Sequence, residues 1–353
     1  MKYRVRLREI IERLPAYRAP SEGRAGKLRL DFNENTVGCS PKVRAALTKM
    51  TREQIAIYPE YEATSRRVAR FFRVAPEELL ITNGADDALR IVTDAFLERG
   101  APALVIDPTF PMYDFYAGIA GARMIRLRYD GAMRFPLAAV CKALARRPRV
   151  FFLANPNNPT GTVVTPHEMQ AVLAAAKGTL VVIDEAYWEF SGVTALQWIR
   201  RYRNLAVVRT FSKAAGLAGL RVGCLFANRD LMNILRRVQP PFSVNAAALI
   251  AADAAVRDTA YVRWYVREVR AARDELSAAL TRLGIRVFPS GANFVLADFG
   301  PRAPAVLRAL RQREILLRER RDGFGRVGFV RITIGNRHQI RRLIRALEKL
   351  WLA

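Results

Sequence analysis

The segment best equipped for covalent chemistry is Arg209-Thr210-Phe211-Ser212-Lys213, with Arg221 eight residues further on. Lys213 is one of eight lysines in a chain with fifty arginines. Solvated charge here is written in arginine, so a lysine between Ser212 and the apolar Ala214-Ala215-Gly216-Leu217 run calls for a chemical reason. An arginine cannot form a Schiff base with a carbonyl; a lysine amine can. A second candidate is Asp184, which ends the apolar run Val181-Val182-Ile183. A carboxylate there is costly unless paired. Taken alone, Asp184 could equally cap a helix or ligate a metal. With only two histidines, His167 and His338, and neither nearby, a metal site is disfavoured.

Two further segments supply what a phosphorylated, ring-bearing aldehyde would need. In Thr82-Asn83-Gly84-Ala85-Asp86-Asp87, Gly84 permits a tight turn and the amides of Ala85 and Asp86 would open a helix toward an anion. On its own this is an ordinary helix start. Asn155-Pro156-Asn157-Asn158-Pro159-Thr160-Gly161 reads as a pocket wall, its prolines fixing the loop and its asparagines presenting amides. Ser212 and Arg221 would bind the phosphate from the other side. Asp184 would pair with a protonated pyridine nitrogen and keep the ring electron-withdrawing, and Tyr187 would bond the ring hydroxyl. The set points to pyridoxal 5'-phosphate. Neither a GxGxxG turn nor a GxxxxGK[ST] loop is present, which disfavours a nicotinamide or ATP enzyme.

The elements that must hold these residues alternate. Strands are expected at 79–82, 103–107, 124–128, 149–154, 180–184, 205–210 and 220–227, with helices between, such as 86–98 and 166–176. This is an α/β pattern with a largely parallel sheet, whose carboxyl ends are the usual place for ligands. The pattern changes near Val238, where Pro240-Pro241 breaks the chain. Beyond it lie an expected helix at 261–283, strands at 286–288, 293–298 and 330–334, and helices at 304–312 and 337–351, a smaller α+β unit. The expected division is an N-terminal arm (1–29) packing on the small unit, a large cofactor-binding domain (30–238) and a small C-terminal domain (239–353).

Composition narrows the function class. With 353 residues, 51% apolar and 25% charged, the chain is long enough for two domains and a large core. No run is long enough to span a membrane and the first residues are charged, so a cytoplasmic protein is expected. Cys39, Cys141 and Cys224 are widely spaced and read as reduced thiols. The net charge of +26 is spread along the chain and recurs at helical spacing, as in Arg263, Arg267, Arg270 and Arg273. Solvated helix faces account for that better than specific nucleic-acid binding. The field can still speed capture of an anionic substrate.

The ordered motifs resemble those of the fold-type I pyridoxal phosphate aminotransferases of class II, most closely the histidinol-phosphate aminotransferases. The similarity runs from about Leu14 to the C-terminus. Besides those above, it covers Leu30-Asp31-Phe32-Asn33-Glu34-Asn35, Tyr58-Pro59-Glu60, Pro108-Thr109-Phe110-Pro111-Met112-Tyr113, Asn293-Phe294-Val295-Leu296 and Arg331-Ile332-Thr333-Ile334-Gly335. The resemblance implies a fold-type I transferase: a large domain with a mostly parallel sheet flanked by helices, plus a smaller α+β domain. It implies that Lys213 bonds the cofactor and later shuttles the proton, that Asp184 holds the pyridine nitrogen, and that Asn158 and Tyr187 hold the ring hydroxyl. Ala85, Asp86, Ser212 and Arg221 would bind the phosphate, with Tyr58 reaching over from the other subunit of a homodimer. Phe110 would stack on the ring where the family usually has tyrosine.

For the substrate, the resemblance implies Tyr17, Asn158, Arg318 and Arg331. Two arginines favour a phosphorylated amine, since a dianion warrants two cations. The implied reaction is transfer of the amino group of L-histidinol phosphate to 2-oxoglutarate, giving imidazole acetol phosphate and glutamate, a step of histidine biosynthesis. An aromatic or broad-specificity aminotransferase and a threonine-phosphate decarboxylase-like enzyme are the alternatives within the superfamily. A basic nucleic-acid-binding protein that keeps the fold without the chemistry is the alternative outside it.

Overall fold

Continuous apolar runs, rather than alternating ones, make strands that are covered on both faces. The computed structural model, which describes residues 5–14, 16, 23–321 and 324–351, shows this in its larger sheet. Tyr17 lies outside the described residues. The strands are β1 (Leu28–Leu30), β2 (Leu79–Thr82), β3 (Pro102–Asp107), β4 (Arg123–Arg128), β5 (Val150–Ala154), β6 (Leu180–Asp184), β7 (Leu205–Thr210), β8 (Gly223–Ala227), β9 (Arg286–Phe288), β10 (Phe294–Asp298), β11 (Ile315–Glu319) and β12 (Phe329–Thr333). The larger sheet has the order β2-β8-β7-β6-β5-β3-β4, and every residue of β5 to β8 is buried. Only β8 runs antiparallel to its neighbours.

Side chains alternate across this sheet with the strand period of two. Phe151, Leu153, Val181, Ile183, Leu205 and Val207 join one core, whereas Phe152, Ala154, Val182, Ala206 and Val208 join the other. In register, Ala154 lies opposite Asp184 and Asp184 opposite Val208. The parallel strands β5, β6 and β7 therefore finish at one edge, and the loops carrying Asn158, Tyr187 and Lys213 leave from there.

The smaller sheet has the order β1-β11-β12-β10-β9. Helices Thr259–Arg282, Ala303–Gln312 and Arg337–Trp351 close a third core on it. No helix among the described residues is long and apolar enough to cross a membrane.

Three details differ from the sequence expectation. The strand expected at 220–227 opens only at Gly223, because Ala218–Leu220 form a 3-10 turn and Arg221 takes a left-handed backbone at φ 54°. The arm divides: β1 pairs with β11 in the smaller sheet, while Arg8, just before the short helix Glu9–Arg13, donates to the Ile119 carbonyl on the larger unit. The larger core also continues past Val238. Helix Ala246–Arg257, apolar nearly all round, is buried in it with Val43 and Val68. We place the change of units near Asp258.

Candidate active site

The floor of the site is built from strand ends. Asp184, the last residue of β6, is buried. Tyr113 Oη donates to its Oδ2 at 2.8 Å and the Ala186 amide donates to Oδ1 at 3.0 Å. Burial raises the Asp184 pKa to about 6, against the lowering by those two donors and by Lys213. Beyond β7, Lys213 Nζ donates to the Phe32 carbonyl at 3.3 Å and stands 5.7 Å from the Tyr187 ring centre.

A buried polar chain runs across the cleft. Tyr187 Oη accepts from Asn33 Nδ2 at 3.0 Å and from Asn158 Nδ2 at 3.4 Å. Asn158 Oδ1 accepts from Arg331 Nη1 at 2.8 Å, and Arg331 Nη2 donates to the Asp31 carbonyl at 2.5 Å. Phe294 meets the Tyr187 ring edge-on at 5.1 Å, which fixes its tilt.

The opposite end suits an anion. Helix Gly84–Phe96 has no side-chain cap from Asn83, so its first amides have no acceptor within the helix. Thr210 Oγ1 donates to Ser212 Oγ at 2.9 Å, which leaves the Ser212 proton to donate elsewhere. Arg221 Nη2 donates to Asp86 Oδ2 at 2.7 Å. Gly84, at φ 81°, makes this approach possible, since a Cβ there would lie 2.7 Å from Arg221 Nη2.

Ala85, Asp86, Phe110, Asn158, Asp184, Tyr187, Ser212, Lys213 and Arg221 line one cavity of about 230 Å³. It adjoins a chamber of about 380 Å³ reached by Arg318, Arg320 and Arg331. Arg318 and Arg331 are paired across β11 and β12, which puts like charges directly opposite each other. Burial, together with the neighbouring charges of Arg320 and Arg318, lowers the Arg331 pKa to about 10, so it remains a cation at neutral pH. Its Nε is buried with no hydrogen-bond partner among the described residues. An anion in the chamber would satisfy both features.

Tyr58 is not brought to this cleft. It is 75% exposed and stacks on Phe242 at 4.4 Å. Sequence reasoning missed Tyr113, Asn33 and Arg320 as parts of the site. Tyr113 and Asn33 stood inside recognised motifs, yet nothing in a linear motif says that a tyrosine hydroxyl will meet Asp184. Glu185 and Arg209 were missed too. Their buried pair (2.8 Å) ties the residue after Asp184 to β7. Among the described residues no cluster could hold a metal.

These groups fit pyridoxal 5'-phosphate: a buried acid for the ring nitrogen, two donors at a phenol oxygen, an uncapped helix start beside an arginine, and a lysine amine. The hydrogen bond from Tyr113 can be tested. Removing a donor to the charged form raises the pKa of Asp184, so Tyr113→Phe is expected to move the acid limb of kcat/KM to higher pH and lower kcat about tenfold. An unmoved pH profile would place the Tyr113 hydroxyl outside the catalytic machinery.

Comparison with known proteins agrees with this geometry. The family model described as aminotransferase class I and II matches residues 25–347. The histidinol-phosphate aminotransferase of Geobacillus sp. (strain WCH70) is 36% identical, over 92% of this chain and 90% of that protein. Among solved structures, histidinol-phosphate aminotransferase from Sinorhizobium meliloti, in complex with pyridoxal-5'-phosphate, superposes with a TM-score of 0.87 at 25% identity, covering 99% of this chain and 98% of the other. L-threonine-O-3-phosphate decarboxylase from Porphyromonas gingivalis gives 0.82 at 26% identity, with 92% and 100% covered. With a buried acid, a lysine and an uncapped helix start at one sheet edge, and a family match spanning residues 25–347, the chain belongs to the class I and II aminotransferases.

Proposed function

We propose that the protein is a pyridoxal 5'-phosphate-dependent aminotransferase that moves the amino group of L-histidinol phosphate to 2-oxoglutarate. The observation that carries the substrate choice is the arginine chamber beside Lys213, where Arg318, Arg320 and Arg331 converge. A phosphate dianion offsets their mutual repulsion better than an apolar or singly charged side chain does.

The bound cofactor supplies an aldehyde for the substrate amine and a ring that draws electrons away from Cα. The chain does the rest. Asp184, kept ionised by the positive charge beside it, would hold a proton on the ring nitrogen. Asn158 and Tyr187 orient the ring oxygen, and the Ala85 and Asp86 amides, Ser212 and Arg221 anchor the phosphate. Lys213 Nζ would accept the substrate's Cα proton and return it. Arg331 and Arg318 hold the substrate phosphate and, in the second half-reaction, a carboxylate of the keto acid.

Tyr58 completes the site in our reading by reaching across a homodimer. Ile55, Ile57 and Phe242 are exposed around it, an apolar patch suited to a second copy. Tyr58→Phe should therefore weaken cofactor binding about tenfold without unfolding the chain, as read by spectrophotometric titration. Unchanged affinity would remove Tyr58 from the site.

The deciding experiment is an absorbance titration of the cofactor-loaded protein with L-histidinol phosphate, phenylalanine and O-phosphothreonine. Bleaching by histidinol phosphate at about a hundredfold lower concentration than by phenylalanine, reversed by 2-oxoglutarate, is the expected result. Preference for phenylalanine would indicate the aromatic enzyme, and carbon dioxide release from O-phosphothreonine the decarboxylase.

A further inference from the structure

A second cavity, of about 410 Å³, lies on the far side of the strand end that carries Lys213. The end of β7 and the turn after it separate the two spaces. Ser212 and Lys213 line the catalytic cleft, whereas Arg209 and Phe211 line the second cavity, with Thr210 common to both. Its walls are the last turn of helix Glu62–Phe72, the turn after β6, and helix Thr259–Arg282, which leads from the larger core into the smaller one. Four rings face it: Phe71, Phe72, Trp188 and Phe211. This volume falls within the roughly 300–1,000 Å³ usual for small-molecule sites.

Its charges are unevenly satisfied. The Arg209 guanidinium lies 3.8 Å from the Trp188 ring centre and is paired with Glu185. Arg270 donates to the carbonyls of Phe190 and Glu189, at 2.9 and 3.3 Å. Arg263 and Arg267, four residues apart and so on one helix face, are exposed at the rim. Among the described residues they make no hydrogen bond or ion pair. The acid of the lining, Glu189, has its Oε2 buried without a partner, and burial raises its pKa to about 7, so it opposes an anion only weakly.

We propose that this cavity binds a small aromatic carboxylate, its ring among Phe72, Trp188 and Phe211 and its carboxylate on Arg263 and Arg267. Flat rings suit the aromatic walls, and guanidiniums at a rim suit a carboxylate bidentately. The seat is also the joint between the two units, directly behind the segment that presents Lys213. The site does not depend on which amine the enzyme transaminates.

The test is isothermal titration of the cofactor-loaded protein with 2-naphthoate. One molecule should bind per chain, unaffected by saturating inorganic phosphate, which occupies the catalytic anion sites. The exposed double substitution Arg263→Glu/Arg267→Glu should weaken binding about a hundredfold, about tenfold for each charge-assisted hydrogen bond removed. Val262→Phe, which narrows the cavity and keeps both arginines, should weaken it as well. The neutral 2-naphthalenemethanol should bind at least about tenfold more weakly than the acid. Absent saturable binding, undiminished binding by the double variant, displacement by phosphate, or equal affinity for the alcohol would each overturn the proposal. Failure in a protein whose mouth is covered by its dimer partner counts equally against it.

Discussion

Lys213→Ala is expected to lose transamination by about 10⁴-fold or more while the fold persists, because one side chain serves as both nucleophile and proton carrier. The fold should persist because little else depends on this side chain. Lys213 Nζ makes a hydrogen bond of 3.3 Å to the Phe32 carbonyl and no ion pair among the described residues. Truncation breaks no ion pair; it removes the positive charge that helps to lower the Asp184 pKa, while the Tyr113 and Ala186 hydrogen bonds to that carboxylate remain, so the change in stability should stay within about 1 kcal/mol. Lys213→Arg is the sharper control. It keeps a cation near Phe32 but cannot condense with an aldehyde, so it should be as inactive as the alanine variant. Stopped assays with L-histidinol phosphate and 2-oxoglutarate, together with urea midpoints, give both numbers. An active arginine variant would reduce Lys213 to a counter-charge and dismantle the proposed chemistry.

How far the fold was legible depended on what each segment had to bury. Strands at 79–82, 180–184 and 205–210 are apolar at nearly every position, and they match β2, β6 and β7 end for end. Their carboxyl edge, and hence the meeting of Asn158, Tyr187 and Lys213, followed from the α/β alternation. Helix Ala246–Arg257 was missed because Pro240-Pro241 reads as a break, and an alanine-rich helix buried on most sides offers little amphipathic contrast. Arg221 illustrates a different limit. Its identity was readable, but its left-handed backbone and the room left by Gly84 belong to the meeting of two segments far apart in sequence. The same holds for the Tyr113 hydrogen bond to Asp184, and for the chamber formed when β11 and β12 set Arg318 opposite Arg331.

Asp184→Asn should separate stability from activity in opposite directions. In the cofactor-free protein the Asp184 pKa is raised from 3.8 to about 6, chiefly by burial. A carboxyl group with a raised folded-state pKa destabilises the fold as pH rises through the interval between its unfolded and folded values. The deficit is absent below about pH 4, grows toward pH 6, and is complete above it, amounting to about 3 kcal/mol. Asparagine carries no charge to desolvate. Its oxygen can still accept from the Ala186 amide, and its amide can donate to the Tyr113 hydroxyl, so both present partners stay satisfied. Cofactor-free Asp184→Asn should thus be more stable than the parent at pH 8 by up to about 3 kcal/mol, with the advantage fading by pH 4. Its turnover should fall about a thousandfold, because an uncharged partner cannot keep the ring nitrogen protonated. Urea unfolding at the two pH values and a kcat measurement at pH 8 check both arms. A variant less stable than the parent at pH 8 would mean that the folded chain already neutralises Asp184 without a cofactor. Near-normal turnover would mean that the electron-withdrawing ring does not depend on this carboxylate. The predicted pairing of lost activity with gained stability is what a buried charge kept for an absent cationic partner requires.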